Sequence, residues 1–328
     1  MKRSLVLGAL VCVGALTVGL AAVQQQPAGG GGRQGGAPQA AQKPPSADQL
    51  VIDKLRDNLF VVRGVPGSFS GGNTAVLVMA KGVLLVDTKI PGWGQPLIEK
   101  LKEITDKPVV TVINTHTHYD HVGGNVDFPA TVEFVSHENT AALMKEMRAV
   151  YGVANSETDI FRTSKGHGIP KRTFKDRMTV GFGNERVELH YFGRAHTSGD
   201  AFVVFPVARA LHTGDAFPNK GAPIMDMNNG GSGLEFADTI AKAAALPNID
   251  TVITGHAATT MTMADVKEYS EFNRAFVDAV RAAKKSGQTI DDVAKSWKVP
   301  ERFLKAGYQQ PQEGRLRSNA EVVWKELN

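Results

Sequence analysis

Asn114-Thr115-His116-Thr117-His118-Tyr119-Asp120-His121-Val122-Gly123-Gly124-Asn125 is the stretch on which the reading of this chain turns. It follows Val109-Val110-Thr111-Val112-Ile113, a short apolar run that predicts a buried strand. Side chains on the loop after such a strand are where α/β folds carry their sites. His116 and His118 are two residues apart, so in an extended segment they project to the same side. Asp120 and His121 follow at once. Imidazoles and a carboxylate this close together suit a zinc-type ion, and polar rings bunched at the end of a buried strand would be costly without such a role. The set is larger than one tetrahedral ion accepts while leaving a position open, which admits two adjacent ions. Gly123-Gly124 lets the backbone turn sharply below them.

Outward from this stretch the pattern alternates between strands and helices. Residues 59–62, 74–78, 82–87 and 109–113 read as strands, the third ending in Asp87. Residues 96–105 and 137–149 have helical apolar spacing. The polar, Gly-rich stretch 152–168 reads as a long loop, and long loops are often functional. Strands are expected at 178–180, 187–192, 201–205, 210–212 and 251–254, and helices at 235–246, 264–286, 289–298 and 319–327. Two groups of elements in similar order suggest two α/β halves packed sheet on sheet.

The central stretch resembles the T-H-x-H-x-D-H signature of the metallo-β-lactamase-fold superfamily, and four further segments resemble its other motifs in order. They are Val83 to Thr88, Gly193 to Asp200, Leu211 to Asp215 and Ile253 to His256. The resemblance covers roughly residues 50–265 and implies an α/β fold, an αββα four-layer sandwich. It implies that His116, His118 and His196 hold one metal, that Asp120, His121 and His256 hold a second, and that Asp215 bridges them. Two divalent ions are expected, Zn2+ being the best fit, with iron and manganese open. A metal-bound hydroxide would attack a carbonyl or phosphoryl centre, Asp120 would orient it or pass its proton, and Asp87 would hydrogen-bond the ligand loop.

Departures within the superfamily narrow the substrate. The best-known β-lactamase branches carry Cys or Ser in place of the bridging acid, whereas His121 and Asp215 are both present here. That set is similar to glyoxalase II-like thioesterases, lactonases and phosphodiesterases. The expectation is a hydrolase of a small-molecule ester, thioester, lactone or similar bond. A β-lactamase is the alternative within enzymes, and a non-catalytic metal-binding protein the alternative outside them. Trp93 could stack on a substrate or simply pack against its own loop. His167 could reach the site, although a solvated loop position fits it better, and Met225-Asp226-Met227 could wall the pocket. Tyr269, Phe272 and Phe276 recur at helical spacing and read as core rather than as a cofactor site.

Composition agrees with an ordinary globular chain: 328 residues, 42% apolar, 21% charged and 7% aromatic. The formal charge of +4 is too small to argue for a nucleic-acid partner. Lys2 and Arg3 precede an uncharged apolar run, residues 4–23, that reads as an export signal cleaved near Ala21, or otherwise as a membrane anchor. Residues 24–48 are rich in Gly, Pro and Gln and read as a flexible tether ahead of a hydrolase domain over 49–328. The expected location is periplasmic or secreted. Cys12 is the one cysteine, so a disulfide within the chain and a Cys-based zinc cluster are both excluded.

Overall fold

A computed structural model describes residues 43–328. The expected signal segment and residues 24–42 of the expected tether lie outside the described residues. Ser46 caps a short 3-10 turn at Ala47–Gln49, which leads directly into the first strand.

The first sheet runs β1 (Leu50–Lys54), β2 (Leu59–Gly64), β3 (Thr74–Val78), β4 (Val83–Val86), β5 (Val109–Asn114), β6 (Glu133–His137) and β7 (Arg172–Phe174) in spatial order. The second runs β12 (Thr251–Ile253), β11 (Ala210–His212), β10 (Phe202–Phe205), β9 (Val187–His190) and β8 (Arg177–Val180). Helices α1 (Gly94–Leu101), α5 (Gly233–Ala244), α6 (Met263–Lys285), α7 (Ile290–Ser296) and α9 (Glu313–Glu326) cover the outer faces. Shorter helices are α2 (Tyr119–Val122), α3 (Glu138–Leu143), α4 (Ile160–Thr163) and α8 (Glu301–Lys305).

The period-two pattern of the strands dictates the layering. In β4, Leu84 and Val86 point to the core between the sheets, where they join Val61, Ile113, Leu189, Val203 and Ile253. Val83 and Leu85 point the other way, onto Leu97 and Leu101 of α1. In β10, Val203 faces the inter-sheet core while Phe202 and Val204 face Phe236 and Ile240 of α5. The result is the four-layer αββα sandwich. Tyr269, Phe272 and Phe276 are buried in its outer helical layer, as core residues.

Strand direction gathers the site on one edge. β4, β5, β6 and β7 are parallel, so Asp87 and the His116–His121 segment leave the first sheet on the same side. β11 and β12 are parallel, and β9 and β11 both run antiparallel to β10. The loops carrying His196, Asp215 and His256 therefore leave the second sheet from one edge too.

Some boundaries differ from the sequence reading. The helix expected over 137–149 spans only Glu138–Leu143, because Met147 takes a left-handed φ of 47° that a helix cannot contain. The loop 152–168 holds the short helix α4, pinned by buried Phe161. β1, β6, β7 and α8 had no periodic signal. The last helix begins at Glu313 rather than 319.

Candidate metal centre

Three groups of side chains come close enough to share an ion: His116, His118, His196 and Asp215; Asp120, His121, Asp215 and His256; and Asp87, His116 and His121. Within each group the ligand atoms lie within 4.8 Å of one another. All seven sequence-predicted ligands are thus brought together, and Asp215 belongs to both larger groups.

The inner group is buried. His196 Nδ1–H donates to the Ile224 carbonyl at 2.7 Å, and His118 Nε2–H donates to Asp226 Oδ2 at 2.7 Å. The Thr115 hydroxyl gives its proton to Asp87 Oδ2 at 2.7 Å and so accepts from His116 Nδ1 at 3.0 Å. Each ring has one nitrogen committed to an outer partner and turns the other inward. His118 Nδ1 and His196 Nε2 meet at 2.9 Å, two acceptors in the neutral rings that only a cation between them satisfies. His116 Nε2 beside them is buried without any partner. One proton cannot serve three nitrogens, whereas one metal ion can. The donor set therefore fits the metal. Burial and the neighbouring imidazoles hold His116 well below the ordinary histidine range. Burial, with His118, lowers His196 to about 4.

The rim group faces outward, with Asp120 and His256 side chains 15% and 30% exposed. His121 Nε2 lies 3.2 Å from Asp215 Oδ1 and 3.2 Å from His256 Nε2. His256 Nε2 is 3.3 Å from Asp120 Oδ2 and 3.2 Å from Asp215 Oδ2. Burial opposes charge on these rings, but the carboxylates win: Asp215, Asp120 and Asp87 raise His121 well above its ordinary value. His256 rises to about 9, burial being overcome chiefly by Asp215 and Asp120. Burial pushes Asp120 up, yet His121 and His256 bring it down to about 2.

The outer partners are as specific as the ligands. Asp87 has φ 64° and accepts from Thr115 N at 2.8 Å and from His121 Nδ1–H at 2.7 Å, tying both halves of the His116–His121 loop. Asp226 accepts from His118, the Asn229 amide side chain and the Tyr151 backbone. The sequence reading placed Asp226 only in a possible pocket wall. Lys89, unforeseen, is fully buried and donates to the Val62 and Gly72 carbonyls at 2.8 and 2.7 Å. Burial, with help from Arg63, lowers its pKa to about 7 against the pull of Asp87. It fixes Gly72, whose missing Cβ leaves room for the His121 ring. Gly255 likewise clears Asp215, which any side chain would strike.

Two expected candidates lie elsewhere. Trp93 is 4% exposed and packs with Leu97 and Phe128 under α1, so it is core rather than a stacking platform. His167 donates to the Phe128 carbonyl at 2.7 Å, away from the cluster.

The profile of the Metallo-beta-lactamase superfamily matches residues 67–256, more than half of the chain. The chain belongs to the metallo-β-lactamase superfamily. Among curated superfamily relatives, the 2,4-dinitroanisole O-demethylase subunit alpha of Nocardioides sp. (strain JS1661) is 32% identical over 138 residues, 41% of this chain and 38% of that protein. The Metallo-beta-lactamase type 2 of Bacillus cereus is 28% identical over 186 residues, 54% of this chain and 64% of that one. The matches thus span less than two thirds of these relatives' lengths. Among solved structures, a metallo-beta-lactamase from Pontibacter korlensis aligns with TM-score 0.55 at 19% identity over 69% of this chain and 99% of that chain. The inverting sec-alkylsulfatase Pisa1 from Pseudomonas sp. aligns with TM-score 0.64 at 16% identity over 84% of this chain and 50% of that chain. At these identities the structures share the superfamily fold, and the fold hosts many chemistries.

Proposed function

We propose that this protein is an exported binuclear metal-dependent hydrolase that cleaves an ester, thioester, lactone or similar bond in a small molecule. The observation that carries the reading is Asp215, the one carboxylate common to the inner and rim groups. In this reading His116, His118 and His196 would hold one ion and Asp120, His121 and His256 a second, with the Asp215 carboxylate available to both groups. Divalent ions there, zinc by the imidazole-rich donor set, would supply Lewis acidity and an activated water near neutral pH.

The chain's own residues supply orientation and proton handling. Asp226, the Ile224 carbonyl and Asp87 fix which nitrogen His118, His196 and His121 turn inward. Asp120, with its carboxylate 3.3 Å from His256 Nε2 and 3.7 Å from His121 Nε2, is the rim acid that would accept a proton from the attacking water. Its partial exposure supports that role. The uncharged apolar run 4–23 supports export.

A second reading, hydrolysis of β-lactams, is favoured by the similarity to the Bacillus cereus protein. The test is turnover of a chromogenic cephalosporin and of 4-nitrophenyl esters, thioesters and lactones, with metal content measured and a chelator added. Chelator-sensitive ester or lactone turnover supports the first reading. Fast cephalosporin turnover establishes the second. Metal bound without turnover of any of them would leave a metal-binding protein and overturn both.

A further inference from the structure

His212 is fully buried, yet none of the metal-ligand roles described above falls to it. It ends β11 on the same face as Ala210, which belongs to the apolar core between the sheets. An imidazole in that layer is costly unless both of its nitrogens are satisfied. Both are: Nε2–H donates to the Asn73 carbonyl at 3.1 Å, and Nδ1 accepts from the Gly214 amide at 3.0 Å. Burial lowers the ring to about 4, so near neutral pH it keeps one donor and one acceptor.

The two bonds lead to different sheets. Gly214 immediately precedes Asp215 on the loop after β11, while Asn73 immediately precedes β3 in the first sheet. Asn73 is itself buried and reaches across to the loop that carries His256. Its backbone N–H donates to the Gly255 carbonyl at 2.7 Å. Its side-chain amide donates to the Thr254 and Ala257 carbonyls, both at 2.9 Å, and so brackets His256 from either side. Arg63 of β2 adds a bond from Nε–H to the same Ala257 carbonyl at 3.2 Å. The Gly255 amide closes onto the Gly214 carbonyl at 3.0 Å. Beside Asn73, the Gly72 amide donates to the Asp120 carbonyl at 2.9 Å. Gly72-Asn73, with His212, therefore ties down the backbone around Asp120, Asp215 and His256, three members of the rim group. The inner rings take their orientation elsewhere, from Thr115, Asp226 and Ile224.

We propose that His212 and Asn73 are positioning residues of the rim group, a hydrogen-bonded clasp between the two sheets that sets the spacing of Asp120, Asp215 and His256 and so decides how tightly the rim group takes a divalent ion. The assignment rests on the two-ion reading above. Neither residue touches substrate or metal; each acts through the backbone of a ligand loop. Asp215 is shared, but the inner group keeps its own imidazoles whatever becomes of the clasp. The clasp therefore acts on one half of the centre and spares the other.

Cobalt(II) titrated into the full-length, metal-free protein against a competing chelator tests the clasp. Cobalt-shifted imidazole N–H signals in the proton NMR spectrum tell the groups apart, those of His116, His118 and His196 from those of His121 and His256. Wild type should fill both groups. His212→Phe keeps a ring in the same space and removes both bonds. It should weaken the rim ion about tenfold to a hundredfold and leave the inner ion unchanged. His212→Gln places an amide donor toward Asn73 again and should recover part of that loss. Asn73→Asp keeps the shape but turns oxygens onto the Thr254 and Ala257 carbonyls, so it should weaken the rim ion at least as much as His212→Phe. Should His212→Phe fail to fold, His212→Asn and His212→Gln, each losing one of the two bonds, carry the same comparison. An unchanged rim ion in the variants, or equal weakening of both ions, overturns the clasp and leaves the pair as ordinary core. A wild type that fills the inner group alone overturns the two-ion reading, and the clasp with it. Selective loss of the rim ion in a protein that turns over no ester, thioester or lactone counts against the hydrolase and not the clasp.

Discussion

On one side of Asp215, His116 and His196 are buried and held neutral, their outer nitrogens spent on a hydroxyl and a backbone carbonyl. On the other side, His121 and His256 sit among Asp87, Asp120 and Asp215 and are drawn toward the charged form. The ring is the same and the neighbours decide its behaviour. Neutral nitrogen donors meet a metal without proton competition, whereas the rim group trades a proton for it. In the proposed reading the inner group would be a fixed anchor and the rim group the half that exchanges protons with solvent and substrate.

The largest test of this contrast is Asp120→Asn. It should lower kcat by about a hundredfold to ten-thousandfold while metal analysis shows both groups filled, because the acid is asked to handle a proton. Unchanged turnover would remove Asp120 from that role. Asp226→Ala should act on the anchor instead, weakening metal affinity by about tenfold to a hundredfold through a His118 ring free to rotate. Competition with a chromophoric chelator reads this directly. Equal loss from both groups would mean that the halves are not separable.

Acidity should split the halves further. His256 is raised to about 9 and His121 well above its ordinary value in the metal-free protein, so between pH 9 and 6 a metal entering the rim group must displace protons from both rings. Affinity there should fall by at least about tenfold per pH unit on acidification, and about a hundredfold where both rings are protonated. The inner group should stay flat over this range as far as His196 is concerned, since that ring releases its proton at about 4. Stability of the metal-free protein runs the other way. A histidine raised from 6.5 to about 9 by folding contributes stability that is full below about 6.5 and lost as pH rises through 9. The smallest effect belongs to His167→Ala, outside both groups. It should cost about 1 kcal/mol in chemical denaturation for its bond to the Phe128 carbonyl and leave turnover unchanged.

The ligands were legible because chemistry concentrates them: four of the seven stand within His116–His121, and His196, Asp215 and His256 each stand on the loop after a strand, with small residues around them. The sandwich was legible where strands are apolar on both faces, as in β4 and β5. β6 and the edge strand β7 mix charge with apolar residues, and their pairing comes from neighbours distant in sequence. Asp226 was hidden for the same reason. It meets His118 across 108 residues, and no local pattern distinguishes it from any loop acid. Lys89 contradicts its own type, a lysine that two carbonyls make tolerable in the interior.

The edge on which the five loops meet also sets when the centre can form. His121 and His256 approach across 135 residues, and His118 and His196 across 78. Contacts that span so much chain carry a large closure cost and come late, after local hairpins such as β2–β3 have formed. Metal should therefore be acquired by an already folded sandwich. Its presence should slow unfolding strongly while leaving the refolding rate nearly unchanged, the kinetic mark of a clasp fastened after assembly.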